Sequence, residues 1–422
     1  MSRRCGRQTA GAAILAAAIC LCAATAARAD ADIAQDIRAV PEGMIVTPGS
    51  SRPAAFGMAH TNIHGFAPHG APLATALPGG KYETPASLAC VYHLTPKVAG
   101  CNPQTLTAVA TSGSRTIAIV DAYHYPTAAA DLAAYSAQFG LPVVTATSLR
   151  VVFATGTQPP QDATGGWEVE EALDIEMAHA MAPNANIVLV EARSASWADL
   201  NFAEHIAIRL VAATGGEVSN SWGSGEFPGE LTAGRTFADN HVVIFASAGD
   251  TPGVEWPSAL PNVVAVGGTS IIRDVSGNYL HQNAWRLSGG GKSAYVATPS
   301  YQSGVTAVVG RSRGVPDVAM VADPNSGVWV YDTTPYNGQV LRWSVWGGTS
   351  VAAPAMAGLV NSAGEFQKST LAELIKIYSD LGVKSKFTDI RYGACANAAG
   401  ATTLIGYDLC TGIGTPFGIG GK

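Results

Sequence analysis

Charge is scarce in this chain. Only 13 % of its 422 residues are acidic or basic, and the formal net charge is −6. No basic block is longer than a few residues, so the electrostatic footprint that nucleic acid requires is missing. No Cys-x-x-Cys pair occurs, which leaves a zinc ribbon or a dithiol redox site without support. No repeat period is visible, and no apolar run is long enough for a comfortable membrane span. The one candidate, Gly11 to Ala26, is short and Ala-rich; Arg3, Arg4 and Arg7 precede it and Ala27-Arg28-Ala29 follows. That order is a secretory signal, residues 1–29, cut after Ala29. Cys20 and Cys22 lack the small preceding residue of a lipid-modified cysteine, so no stable membrane association is expected.

Export changes what the cysteines mean. Four of the seven, Cys90, Cys101, Cys395 and Cys410, lie beyond the signal. They allow three pairings, and proximity favours Cys90–Cys101 and Cys395–Cys410, each worth roughly 3 kcal/mol in the loop-entropy picture.

What is present is small, apolar and Gly-rich, with 47 glycines. This composition suits a loop-rich domain with a large core. Residues 30–83 are rich in Pro, Gly, Ala and His with little periodicity, and read as a short, poorly structured leader or propeptide remnant. His60, His64 and His69 sit among turn residues there, which favours a solvated segment over a metal site. Residues 84–422 form the second unit. From about Ala108 apolar strands alternate with helices: strands at Thr116–Asp121, Ile187–Glu191, Glu217–Trp222 and Val242–Ala248, and helices at Thr127–Phe139, Trp167–Met181, Trp197–Ala213 and Glu230–Asn240. Fully apolar strands in that alternation indicate an α/β domain with a parallel sheet covered on both faces.

Three stretches could carry chemistry. Gly347-Gly348-Thr349-Ser350 opens a small-residue helix, placing Ser350 where unpaired N–H groups and the helix dipole favour negative charge; an N-cap serine on a core helix is the plain alternative. Glu170 and Asp174 are four apart on a predicted helix and share a face, so one of them should hold its proton to higher pH. An acidic first turn accounts for Glu168, Glu170 and Glu171 as well, but less readily for Asp174. Asp250 follows the apolar run Val243–Ala248 and Gly249, at the carboxyl-end rim of the sheet where ligands bind in open α/β folds; a turn-capping aspartate would read the same way.

Together these stretches resemble the sedolisins, or serine-carboxyl peptidases, of the kumamolisin type. The order Glu170, Asp174, Asp250, Ser350 is theirs, as are Ser219-Asn220-Ser221-Trp222-Gly223, Arg313-Gly314-Val315-Pro316-Asp317-Val318-Ala319 and Gly406-Tyr407-Asp408-Leu409-Cys410-Thr411-Gly412. The resemblance spans about Ala108 to Gly418 and implies a subtilisin-like three-layer fold with a mainly parallel central sheet. It also implies an exported acid-acting endopeptidase, or tripeptidyl peptidase, with polypeptide substrates and a monomeric state. Ser350 is the implied nucleophile, Glu170 the general base oriented by Asp174, and Asp250 a neutral acid that donates to the oxyanion. A carboxylic acid donates only while protonated, so the chemistry itself calls for acid. An ordinary subtilisin triad would need a His-Gly-Thr-His segment after the first strand, and none exists.

The resemblance further implies support near the site from Asp121 and Trp222, both of which also admit a plain structural role. Ser219, Ser221 and Gly223 are implied to line the substrate strand. One calcium ion is implied at Asp389, the carbonyls of Ile390, Leu404 and Gly406, and Asp408, a ligand set that suits calcium. Leu404 replaces a more usual glycine, and the leader is short for a folded prosegment. A non-catalytic peptide-binding homologue is the competing reading; the four intact catalytic positions weigh against it.

Overall fold

In a computed structural model, residues 56–68, 82–238, 241–395 and 402–422 are described, together with the backbone of 44–47. The strands, in chain order, begin with β1 (Met44–Thr47), β2 (His60–Thr61) and β3 (His64–Pro68). β4 (Thr116–Ala122), β5 (Leu149–Phe153), β6 (Asn186–Ala192), β7 (Gly216–Asn220), β8 (Trp222–Gly225), β9 (Val243–Ser247) and β10 (Glu255–Trp256) follow. Then come β11 (Val264–Arg273), β12 (Tyr279–Ala284), the pair β13 (Gly291–Ala297) and β14 (Ser312–Val315), and β15 (Val318–Val321). The hairpin β16 (Val328–Tyr336) and β17 (Gln339–Gly347) precedes the serine helix. The longer helices are α1 (Pro85–Val91), α2 (Ala128–Phe139), α3 (Gly166–Met181), α4 (Trp197–Ala212), α5 (Thr349–Ala363) and α6 (Thr370–Ser379).

The central sheet runs β12-β11-β9-β7-β4-β6-β5, with β15 also on β11. Every pairing is parallel except β11 with β12. Alternation in β4 shows the layering: Ile117 and Ile119 join the core that contains α3 and α5, while Ala118 and Val120 join the core beneath α4. Both faces are buried, which is why the strands read as continuous apolar runs. α3 is buried from Trp167 to Met181 and packs on α5. Their approach is close because Gly358 lacks a side chain; a Cβ there would lie 2.7 Å from that of Met181. The helix expected over Glu230–Asn240 is only a turn, Glu230–Ala233, continued as a 3-10 turn through Phe237. Both cysteine pairs favoured by proximity are bonded.

The signal segment 1–29 lies outside the described residues. The leader requires a correction. A poorly structured segment is expected over 30–83, yet β2 pairs antiparallel with β8, and β3 with β17. Ala59, His60, Thr61, Asn62 and Ile63 are all buried. Apolar periodicity is a poor guide here because the hydrogen bonds come from pre-formed strand edges. An extended segment laid along them needs no amphipathic face of its own.

The interior is unusually acidic. Burial lifts Asp121, Glu204 and Glu217 to about 8, and Glu170, Glu171, Asp174, Glu176 and Asp250 well above the carboxylate range. A carboxyl raised in the folded state keeps its proton after the unfolded chain has released its own near pH 4. The folded state then binds more protons than the unfolded one, so stability is fully present below about pH 4 and is lost as pH climbs towards 8. The thermal midpoint is therefore expected to fall by several degrees between about pH 4 and pH 8 in differential scanning calorimetry. A midpoint that rises over that interval contradicts this account.

Candidate active site

Three separate elements bring the site together. β17 ends at Gly347, and Gly348 adopts φ +105°, a left-handed angle that turns the chain into α5. The helix entrance then presents Thr349 and Ser350, both fully buried. The Ser350 backbone N–H donates to the carbonyl of Asn62 at 3.0 Å. Its hydroxyl rests on the Ser221 carbonyl at 3.1 Å. Ser221 in turn donates through its own hydroxyl to Asp174 Oδ1 at 2.8 Å.

The second element is α3. Glu170 and Asp174 share the buried face that the spacing predicts. Desolvation raises Glu170 first and the charge of Asp121 second; the hydroxyls of Ser350 and Thr61 pull the other way. Asp174 is raised by burial and by the charges of Asp121 and Glu170. Asp174 Oδ1 is tied to Ser221, and its other oxygen, Oδ2, is buried with no partner assigned among the described residues. Asp121, at the end of β4, has both carboxyl oxygens buried with no hydrogen-bond partner assigned among the described residues. It forms the third member of a carboxyl cluster in which full ionisation is prohibitive.

The third element is the loop after β9. Asp250 Oδ1 accepts from the Thr349 N–H at 2.7 Å and from the Thr349 hydroxyl at 2.8 Å. Burial raises its pKa well above the ordinary range, only partly offset by those two bonds. Its free oxygen, Oδ2, stands 3.4 Å from His64 Nε2. Burial lowers His64 to about 4 and raises Asp250, so it favours the neutral form of both partners in this contact. A Cβ on Gly348 would lie 2.1 Å from the Asn62 oxygen and 2.5 Å from Asp250 Oδ2. The carbonyl of Asn62 thus shares one small space with an N–H donor and a neutral carboxyl. That space fits a developing oxyanion.

The remaining expected residues divide. Ser221 accepts the Asn62 N–H at 3.2 Å and Gly223 pairs with His60, so both border the extended segment. Ser219 does not; it lies within the central sheet between Ile119 and Phe245. Its backbone is committed to neighbouring strands, and the stretch bends out of the sheet only after Asn220. Trp222 is a core residue: its indole donates to Val120 O at 2.9 Å and packs against Trp256 and Phe237. Sequence reasoning missed Asn62, His64, Ser247 and Glu255, because the first two lie in the leader and the others carry no motif.

In the C-terminal loop, Asp389 and Asp408 converge on one turn. Asp389 Oδ1 accepts from Gly406 N at 3.1 Å, and Asp408 Oδ2 from Leu404 N at 3.2 Å. Asp389 Oδ2 also holds Arg391 at 2.8 Å. Leu404 is not among the residues with positive φ, so its side chain is no obstacle to using its carbonyl. Among the described residues no three His, Cys, Asp or Glu side chains cluster as metal ligands. An ion here would rest on two carboxylates and backbone oxygens, a donor set that suits calcium.

No protein-family model matches the chain. Kumamolisin of Bacillus sp. (strain MN-32) is 33 % identical over 325 residues, covering 68 % of this chain and 56 % of that protein. Sedolisin of Pseudomonas sp. (strain 101) is 32 % identical over 185 residues, covering 40 % of this chain and 29 % of that protein. The matches therefore take in about half or less of the curated relatives' length. Among solved structures, Pseudomonas sedolisin complexed with two molecules of pseudo-iodotyrostatin superposes with a TM-score of 0.64 at 23 % identity, over 80 % of this chain and 95 % of that one; this likeness is one of fold. With sequence kinship to kumamolisin and sedolisin and the three-layer architecture of the latter, the chain belongs to the sedolisin family.

Proposed function

We propose that the protein is an exported serine-carboxyl peptidase that hydrolyses polypeptides in acid through an acyl-enzyme on Ser350. The observation that carries this reading is the carbonyl oxygen of Asn62, which accepts from the Ser350 N–H at 3.0 Å beside the neutral carboxyl of Asp250. The Ser350 hydroxyl leaves the Ser221 carbonyl and adds to a peptide carbonyl carbon while Glu170, ionised when Asp174 and Asp121 hold the protons of the cluster, takes its proton. Asp250 and the Ser350 N–H stabilise the oxyanion, and Glu170 returns the proton to the departing amine. Asp174, held through Ser221, and Asp121 bias where the remaining protons of the cluster reside.

Internal cleavage is the favoured mode. The segment in the cleft continues beyond the third residue upstream of that carbonyl: Ala59 N–H donates to Ala195 O at 2.8 Å, and Met58 bridges Ser196. A cleft open there admits long chains, whereas a tripeptidyl enzyme needs it closed. Export follows from the N-terminal segment, and the two disulfides agree with an oxidising compartment.

Casein hydrolysis measured from about pH 3 to pH 8 should be confined to the acid side, and Ser350→Ala or Glu170→Ala should lower it by about a thousandfold or more. Wild type indistinguishable from both variants at every pH sinks the proposal. Thr349→Val removes a hydrogen bond that favours ionised Asp250, so the acid keeps its proton longer and the upper pH limb of activity moves to higher pH. The same change should cost roughly 1–3 kcal/mol in urea unfolding, because Gly249 N–H loses its acceptor.

We also propose one calcium ion held by Asp389, Asp408 and the carbonyls of Ile390, Leu404 and Gly406, where it would tie the disulfide-stapled loop together. EDTA should lower the thermal midpoint by several degrees and added calcium restore it, with Asp408→Asn insensitive to both. An unchanged midpoint in EDTA rules the ion out.

A further inference from the structure

Asn62 is held by its side chain as well as by its backbone. Its Nδ2 donates to Ser247 Oγ at 2.8 Å and to Glu255 Oε2 at 3.1 Å. Both acceptors are buried. The pocket exists because two neighbours are glycines. A Cβ on Gly223 would lie 2.2 Å from Glu255 Oε2 and 3.3 Å from Asn62 Nδ2, and one on Gly249 would lie 2.7 Å from Glu255 Cδ. Glu255 Oε1 faces His60 Nε2 at 3.7 Å, which leaves Oε2 for the occupant.

Such a pocket selects by chemistry and by length. Leucine would leave two buried acceptors unmatched. Glutamine adds a methylene where the walls have already lost theirs. An asparagine supplies a short N–H donor to both acceptors.

The backbone of Asn62 lies as a substrate's would. Its N–H donates to Ser221 O, its C=O accepts from Ser350 N–H, and the chain pairs with β8 before it and with β17 after it. Downstream, Gly65 lies so close to Trp346 that a Cβ would sit 2.0 Å from the indole. The Asn62–Ile63 bond is thereby fixed on both sides.

We propose that the Ser247–Glu255 pocket selects asparagine immediately before the cleaved bond, and that the chain's own Asn62–Ile63 bond is one it cuts. The inference rests on the peptidase reading above and adds to it a specificity and a processing site. Ser350 Oγ adds to the Asn62 carbonyl carbon and its proton passes to Glu170. The C–N bond to Ile63 breaks, and the Ile63 nitrogen takes that proton as a new amino terminus. Water then adds to the Asn62 ester, giving one proton to Glu170, which passes it to Ser350 Oγ as the ester breaks; the products are a carboxyl group at Asn62 and the free serine. Water is the only co-reactant.

The full chain, purified at neutral pH and shifted to about pH 4, can be followed by intact mass and N-terminal sequencing while the same preparation digests a peptide library. An N-terminus at Ile63 is expected in wild type and absent in Ser350→Ala. Asn62→Leu should slow its appearance roughly tenfold or more, and library cleavage should be enriched by a similar factor for Asn before the cut. Glu255→Leu and, separately, Ser247→Ala should each erode that enrichment, so one misfolded variant leaves the other to decide. Ser350-dependent digestion with no asparagine enrichment, or with an intact Asn62–Ile63 bond, overturns the inference and leaves the peptidase reading standing. Absence of any Ser350-dependent cleavage removes both.

Discussion

Desolvation of carboxyl groups is the constraint on which this structure depends. Taking an ionised carboxylate out of water is so costly that, without a cation nearby, the group keeps its proton instead. Glu170, Asp174, Asp121 and Asp250 are all buried, and among the described residues none is paired with Arg or Lys. The contrast lies in the same molecule: Glu83 meets Arg273 at 2.6 Å and Asp317 meets Arg313 at 2.6 Å. Cations are therefore used where a fixed charge is structural and withheld around Ser350. Removing the counter-charges turns an ordinary acid into a hydrogen-bond donor, which is the property an oxyanion needs.

Much of this was legible in the sequence. The four-residue spacing of Glu170 and Asp174 puts both on the buried face of α3, and Gly-Thr-Ser does open a helix with the serine at its entrance. Apolar strand runs gave the parallel sheet because both faces are covered. Less legible was how the acids connect. Spacing puts Asp174 one turn from Glu170 but does not reveal that Ser221 captures it, since Ser221 arrives from another strand at a bend after Asn220. Ser219, which the resemblance implies beside the substrate strand, lies instead within the central sheet, where its backbone pairs with Ile119 and Phe245.

Within the leader, the described residues 56–68 depart furthest from what their composition suggests. The composition is that of a solvated segment, yet Asn62 and Ile63 are among the buried residues. What orders it is complementarity to edges made elsewhere: β8 on one side, β17 on the other, and a pocket opened by Gly223 and Gly249. None of these features leaves a periodic trace in residues 58–66. Glu255 and Ser247 were invisible for a related reason, since a pocket is defined by what several distant segments jointly omit.

Ser221 ends up at a crossing of three roles. Its carbonyl accepts both the N–H of Asn62 and the hydroxyl of Ser350, while its own hydroxyl holds Asp174. A chain lying in the cleft therefore shares with Ser350 one carbonyl oxygen, which takes both donors at once, in the residue whose own hydroxyl holds the carboxyl cluster. Occupancy and nucleophile are wired through a single residue: an N–H seated on that oxygen loosens its hold on the serine hydroxyl without displacing it.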